Sequence, residues 1–441
     1  MESSLLAVGR KVRFDDALQN AQNFIQARKD ELGTDVVLVR DLLGRIRIAV
    51  AIERNDRHLE LSRELHLSLG AFSPGEESIF LYRGEMFDPN GVFSSSDALL
   101  LGQNPLQQQV RILDRQLMGQ DWLRKPLSRD AHPPRATLFG IKGGVGRSTA
   151  LAVWAWRLVQ AGKKVLVIDL DLESPGVTTT LLPEDSRPRF GIVDWMVEDL
   201  VGQSDSELLD DLVATSPLGR DSDGVIRIVP AGGYSGTDYM SKLARTYMGA
   251  PLPKGEEGFA ERVERMLLQL EQQEQPDIVL IDSRAGLHDI AAVALTRLDA
   301  LSFLFAINTS QSWEGYDLLF RHWREHSEVT RLFRDNLQMV AALVPETHIT
   351  EYLETYRESA YQLFADNLYD EVIEPEASGL FNFDLNDPDA PHSPLRINWG
   401  REFQEFDPVR NPEALSESQL ASGYGDFVDR ATQLVLGETL G

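Results

Sequence analysis

The stretch Phe139-Gly-Ile-Lys-Gly-Gly-Val-Gly-Arg-Ser-Thr149 constrains this chain more than any other part of it. The apolar run Ala136–Ile141 predicts a short strand, and Ser148–Gln160 has the spacing of a helix. Between them stand Gly143, Gly144 and Gly146. A glycine-rich turn from strand to helix lets the backbone wrap an anion closely and aim several N–H groups at it, while the helix adds the positive end of its dipole. A nucleoside triphosphate is the natural ligand of such a turn. A tight connection with no ligand is the plainer alternative, so the rest of the chain has to decide between them.

After this turn the pattern alternates. Lys164–Asp169 is apolar enough to be a strand buried on both faces, and Asp277–Asp282 repeats that character after a helix over Glu261–Gln273. Leu301–Ile307 and Leu337–Val344 read as two more strands, and a last amphipathic helix falls near Asp426–Leu436. Strands alternating with helices predict an α/β domain with a doubly wound, mostly parallel sheet. Residues 375–412, rich in Pro, Asp and Asn, read as ordered loops. Ahead of this domain, residues 1–103 read as a small α+β module: a helix over Phe14–Leu32, strands at Asp35–Arg40 and Arg45–Ile52 joined through Asp41–Gly44, a helix at Asp56–Leu69 and a strand at Ser78–Arg83. Residues 104–135 are expected to hold a helix, Pro105–Met118, and a proline-rich linker from Lys125 to Pro134. The expected organisation is therefore a module over 1–103, a connection over 104–135 and the α/β domain over 136–441.

The general P-loop asks for Gly, four residues, then Gly-Lys-Ser/Thr. Here Gly140 opens it, Gly146 closes it, Ser148 supplies the magnesium hydroxyl, and Arg147 stands where lysine is expected. Asp169 and Asp171 end the strand Val165-Leu-Val-Ile-Asp-Leu-Asp171, at the carboxyl edge where open α/β sheets bind ligands. The run Ile278-Val-Leu-Ile-Asp282 followed by Ser283-Arg-Ala-Gly286 has the form of a Walker B strand and its switch loop. Either aspartate alone could cap the next helix. The three features in this order make coincidence a poor explanation.

Lys142-Gly-Gly-Val-Gly-Arg-Ser-Thr149, Asp169-Leu-Asp171 and Ile281-Asp282 together resemble the deviant Walker A ATPases of the ParA/MinD class. The hallmark of that class is an extra lysine at the start of the loop, here Lys142, which reaches across an ATP-sandwiched homodimer to the partner's nucleotide. The resemblance implies ATP and Mg2+ as cofactors, with the nucleotide held by Gly143, Gly144, Val145, Gly146, Arg147, Ser148 and Thr149. It further implies that Ser148 binds magnesium directly, that Asp169 and Asp282 hold it through water, and that Asp171 positions the hydrolytic water. Lys142, Arg147 and Asp171 are then the catalytic candidates, and Gly286 sits in the loop that senses the γ-phosphate. Val225-Ile-Arg-Ile-Val-Pro-Ala231 and Ser312-Trp-Glu-Gly315 resemble further family segments, so the likeness spans roughly residues 136–440. Adenine contacts are expected in Val344–Thr347, with Pro345 and Glu346 flanking the base, or in 375–412. Arg147 departs from the family's lysine. A guanidinium is a planar, bulkier fork with a fixed charge, suited to binding phosphates, so slow or partner-stimulated hydrolysis is expected.

Composition prunes what such a switch acts on. The chain has 441 residues and no cysteine, which removes disulfides, thiolate metal sites and iron–sulfur clusters, and with them the cluster-carrying branches of the class. Its net charge is −26, and from Pro345 onward 5 basic residues face 20 acidic ones, a poor match for DNA phosphates. The end, Thr432-Gln-Leu-Val-Leu-Gly-Glu-Thr-Leu-Gly441, lacks Lys and Arg, unlike a basic membrane helix. With no apolar run near the length of a membrane span, the expectation is a cytoplasmic ATP-dependent dimer switch acting on a protein partner, with the N-terminal module reading its output. Loops of the Lys-Gly-Gly-Val-Gly-Arg type resemble those of bacterial signalling or defence cassettes. A non-hydrolysing nucleotide-binding scaffold is the alternative.

Three patterns compete for attention. His322-Trp-Arg-Glu-His326 spells H-x-x-E-H, an inverted zinc-protease signature, but its charged neighbours suit a solvated helix face, leaving a zinc metalloprotease as a remote alternative. Gly232-Gly-Tyr-Ser-Gly236 lacks the second glycine of a nucleophile turn and reads as a loop. Tyr234 and Tyr239 are candidates for a partner surface.

Overall fold

The computed structural model describes residues 11–95, 97–101, 110–116, 119–127, 132–234, 238–252, 256–371 and 379–439. The chain divides into two compact units, Met1–Gln120 and Asp121–Gly441.

In the first unit, helix α1 (Phe14–Ala27) and helix α2 (Asp56–Leu69) pack on a five-stranded sheet of β1 (Val36–Arg40), β2 (Ile46–Val50), β3 (Phe80–Tyr82), β4 (Leu99–Leu101) and β5 (Val110–Asp114). The strand order is β3-β2-β1-β5-β4, with β1 antiparallel to β2 and parallel to β5. The hairpin expected through Asp41–Gly44 forms because Asp41 accepts from the backbone N–H groups of Leu43 and Arg45, closing the turn with its own side chain. Asn55 caps α2 by accepting from His58 N–H. The helix expected over Pro105–Met118 is corrected. Residues 110–114 are a strand, with Val110 and Ile112 in the core and with Arg40–Asp114 and Arg111–Asp35 ion pairs tying it to β1 and to the residue before it. Pairing in the sheet overrides the local helical spacing there. Residues 102–109 and 117–118 lie outside the described residues.

The second unit is built on an eight-stranded sheet: β6 (Arg135–Gly140), β7 (Lys164–Asp169), β8 (Ala214–Thr215), β9 (Val225–Val229), β10 (Ile278–Asp282), β11 (Leu301–Ala306), β12 (Leu337–Val344) and β13 (Leu395–Asn398). Their order is β13-β12-β11-β6-β10-β7-β9-β8, parallel throughout except for β8. The doubly wound, mostly parallel α/β class is what the sequence predicts. Strand β13 lies inside the stretch expected to be loop, and residues 372–378 of that stretch lie outside the described residues.

Helix α3 (Arg147–Gln160) packs on one face with the closing helix α9 (Glu417–Leu436). Trp154 of α3 meets Phe303 and Phe427 edge-on and donates to Thr432 at 2.9 Å, so its ring and its N–H are both satisfied. The longer of the other helices of this unit are α4 (Ile192–Asp199), α5 (Tyr239–Thr246), α6 (Phe259–Glu274), α7 (Ser310–Arg324) and α8 (Ile349–Asn367). Arg135, at the start of β6, is buried and bonded to Glu271 at 2.5 Å and Glu264 at 3.0 Å, which fixes α6 against the sheet. Removing one partner from such a buried pair costs about 3–5 kcal/mol, because the other charge stays buried alone. Trp122 and Leu123, from the 104–135 stretch expected to connect the two domains, are buried in this unit, with Trp122 against Phe139 and Trp323.

Candidate functional site

The sheet order puts β6, β10 and β7 side by side, so their carboxyl ends converge. Asp282 stands in register with Asp169 on one side and Leu138 on the other. The glycine-rich loop rises from β6 at this edge and turns into α3. Gly144 and Gly146 hold φ of +75° and +81°, left-handed backbone that a side chain strains, and Val145 is buried beneath them as the loop's apolar anchor. Gly315 of α7 packs so tightly on Ile141 that a Cβ there would come within 2.4 Å of its side chain.

Ser148, in the first turn of α3, donates from its hydroxyl to Asp282 Oδ2 at 2.6 Å. Asp282 Oδ1 is buried with no hydrogen-bond partner. Asp169 is fully buried too, but Thr178 serves it: Oδ2 accepts from both the N–H and the hydroxyl of Thr178, and Oδ1 from Asp171 N–H. Burial raises the pKa of both carboxyls, Asp169 further by the Asp282 charge beside it. Asp171 is also raised by burial, offset by Arg147 and Arg284. The unpartnered oxygen of Asp282, beside the Ser148 hydroxyl, is an acceptor suited to a cation. Ser148 and Asp282 are the residues that would hold a magnesium ion here, where it would supply positive charge against phosphate oxygens. Through Thr178 and Asp171, Asp169 also shapes the loop after β7.

Arg147 does not point freely into solvent. It is buried, one Nη donates to the Ser283 carbonyl, and the other lies 3.7 Å from Asp171 Oδ2. Lys142 is half-buried at the loop's entrance, with no ion-pair partner among the described residues. Gly143 and Gly144 are exposed, and Thr149 is half-buried on the pocket side. Gly286 donates its N–H to the Gly140 carbonyl at 3.0 Å, so the loop after β10 is stitched to the start of the glycine-rich loop.

Beside the loop lies a pocket of about 440 Å³, within the range of small-molecule sites. Gly144 and Gly146 to Thr149 form one wall; Leu343, Asn398, Trp399, Phe403 and Tyr424 are among the residues of the other. Leu343 holds a left-handed φ of +54° where the pairing of β12 with β13 shifts register, and its side chain sits above Gly146. A strained non-glycine residue at a cavity is a mark of function more than of packing. Pro345 and Glu346 do not line this pocket. The sequence signal for it was the aromatic residues Trp399 and Phe403 inside a stretch rich in Pro, Asp and Asn.

Tyr234 is exposed, whereas Tyr239 is turned inward and its hydroxyl donates to the Leu172 carbonyl, next to Asp171. Tyr239 is therefore part of the site's frame and not of an open surface. Ser235 lies outside the described residues. In the H-x-x-E-H stretch, α7 ends at Arg324, Glu325 is exposed and His326 is buried beyond the helix end. Among the described residues no three His, Asp or Glu side chains are grouped to hold a metal, which leaves the zinc reading without a site. No described helix is long and apolar enough to cross a membrane.

Residues 134–174, from β6 through the Asp169–Asp171 loop, match the family described as cellulose biosynthesis protein BcsQ. No curated protein matches the chain. Among solved structures, a ParA family ATPase from Chlorobium tepidum is similar at 15% identity and a TM-score of 0.41, over 66% of this chain and 98% of that one. The cell-division protein MinD from Aquifex aeolicus is similar at 16% and 0.41, over 69% and 98%. A cobyrinic acid a,c-diamide synthase from Mycobacterium smegmatis, solved with an ATP analogue and magnesium, is similar at 20% and 0.36, over 50% and 78%.

Proposed function

We propose that this chain is a ParA/MinD-type ATPase switch: it binds ATP with magnesium in the glycine-rich loop, hydrolyses it slowly, and acts on a protein partner. The observation that carries this reading is the Ser148–Asp282 pair at the mouth of the loop, with its orphaned carboxylate oxygen. The triphosphate lies along the N–H groups of Gly143 to Thr149, against the start of α3, and the base enters the pocket under Leu343 between Trp399 and Phe403. Asn398 carries a buried amide oxygen without a partner, an acceptor suited to the exocyclic amine of adenine. Bound magnesium neutralises charge on the phosphates. Asp171, raised in pKa and facing the loop, orients the attacking water.

Arg147 explains a slow rate. Its fork is already engaged by the Ser283 carbonyl and faces Asp171, so part of its charge is spent within the protein. The same contact favours, as a second reading, a scaffold that binds nucleotide without turning it over. Phosphate release by the wild type beside Asp171→Ala separates the two, since equal background rates support the scaffold.

In this reading Lys142, half-buried and without an ion-pair partner among the described residues, reaches a second copy's nucleotide in an ATP-dependent homodimer. The acidic balance of the chain argues against DNA as the surface acted upon. The first unit, a five-stranded module with its own core, is the part that reads the nucleotide state. A cytoplasmic setting in a bacterial signalling or defence cassette fits this reading.

A further inference from the structure

The loop after β10 differs from a plain connection in one respect: it carries a cation, Arg284, between two anchors. On one side the Ser283 carbonyl is held by Arg147, and on the other Gly286 N–H is held by the Gly140 carbonyl at 3.0 Å. Arg284 and Ala285 thus form a short arch fixed at both feet to the residues that frame the glycine-rich loop. The Arg284 guanidinium is ion-paired with Glu173, two residues beyond Asp171, and His288 Nε2 approaches the same carboxylate at 3.5 Å. The pair is only partly exposed, 26% for Arg284 and 34% for Glu173, so it is neither a free surface contact nor a buried strut.

We propose that Arg284 is a phosphate-facing arginine supplied by the chain itself, which Glu173 holds in reserve until a γ-phosphate is bound. The inference rests on the ATPase reading above. In hydrolysis the water oxygen forms a bond to the γ-phosphorus while the bond from that phosphorus to the bridging oxygen breaks. The bridging oxygen keeps the electron pair as part of ADP, and the water proton ends on inorganic phosphate. Charge grows on the bridging and γ-oxygens, and an arginine arriving there is the most effective single addition a site of this kind can receive. Arg147, engaged with Ser283 and facing Asp171, leaves that position to be filled. Glu173 competes with the phosphate for the same fork, since the geometry of a guanidinium matches both carboxylate and phosphate oxygens. Arg284 leaves Glu173 only when the stronger anion is present.

Two substitutions break the same ion pair but have opposite consequences under this account. Arg284→Ala removes the cation; Glu173→Gln frees it. Binding of ADP, and of ADP with aluminium fluoride and magnesium, is measured by calorimetry alongside phosphate release. The expected result is that Arg284→Ala binds ADP within about threefold of wild type, which shows that the site is folded. It binds the aluminium fluoride complex at least about tenfold more weakly and, where the wild type turns over, releases phosphate about 10²-fold more slowly or worse. Arg284→Lys falls between them, and Glu173→Gln matches or exceeds wild type in both readouts. If the two substitutions move together, the pair is structural and the proposal is overturned; it is overturned equally if Arg284→Ala leaves both readouts unchanged. A wild type that binds neither ADP nor ATP overturns the ATPase reading instead, which is a distinguishable failure.

Discussion

The hydroxyl of Ser148 donates to Asp282 across 2.6 Å, joining the first turn of α3 to the end of β10, and leaves the second oxygen of Asp282 buried and unpaired. Burying a polar atom without a partner costs about 1–3 kcal/mol, more when it is charged. A fold keeps such an atom where a ligand will meet it. Asp282→Asn is expected to remove the attraction for a cation while keeping the bond to Ser148. The nucleotide-free protein should then melt at or above the wild-type temperature, and magnesium should no longer add to the stabilisation by ATP. A melting curve series with ATP, with and without magnesium, checks both halves.

Asp171 lies between Arg147 and the open side of the loop, with little else to do for the fold: its backbone N–H serves Asp169, and its side chain accepts from Ser174 N–H at 3.3 Å. Asp171→Ala is expected to leave ATP affinity within about threefold of wild type and to lower phosphate release about 10²-fold. Single-turnover phosphate release, beside equilibrium binding, gives the two numbers. Lost affinity with unchanged turnover would assign Asp171 to binding instead.

Trp399 is 38% exposed at the pocket mouth, where a large apolar ring is otherwise poorly placed. If a base stacks there, Trp399→Ala loses about 1–3 kcal/mol of binding, equivalent to about 5- to 150-fold in Kd for ATP, and Trp399→Phe recovers most of it. Inorganic triphosphate, which has no base, should bind both variants as it binds wild type. Competition binding with ATP and triphosphate checks this directly.

In the first unit, His58 is buried with its ring stacked between Phe80 and Tyr82, at 5.7 and 5.5 Å, and burial holds its pKa below the ordinary histidine value. The folded form therefore binds fewer protons than the unfolded chain once the pH falls below about 6.5. His58 contributes stability that is fully present above that pH and is lost as the pH falls through it towards the folded value. Hydrogen exchange of the Asp56–Leu69 helix should accelerate between about pH 7 and about pH 5, beyond the intrinsic pH effect, and His58→Phe should flatten that response. A wild-type response no larger than that of His58→Phe would contradict it.

Much of the α/β unit was legible because its chemistry is local. The glycines of the loop need their left-handed backbone, and runs such as Val165–Ile168 and Ile278–Ile281 are too apolar to be anything but central strands. Two kinds of feature were not. Strand β5 was read as a helix because Val110, Leu113 and their neighbours fit either period, and only pairing with β1 decides between them. The pocket wall was hidden because Leu343, Asn398, Trp399 and Phe403 come together through β13, an edge strand of four residues inside a turn-rich stretch. Likewise Thr178, which serves Asp169, and Tyr239, which holds the Leu172 carbonyl, carry no motif, since their roles arise from where separate segments meet.

The most direct test of the account is calorimetric titration of the purified chain with ATP, with and without magnesium, beside Ser148→Ala. The account predicts binding by the wild type that magnesium tightens about tenfold or more, and a Ser148→Ala protein that still binds ATP but gains nothing from the metal. A wild type that takes up no ATP under either condition, or a Ser148→Ala variant with the full magnesium response, would contradict it.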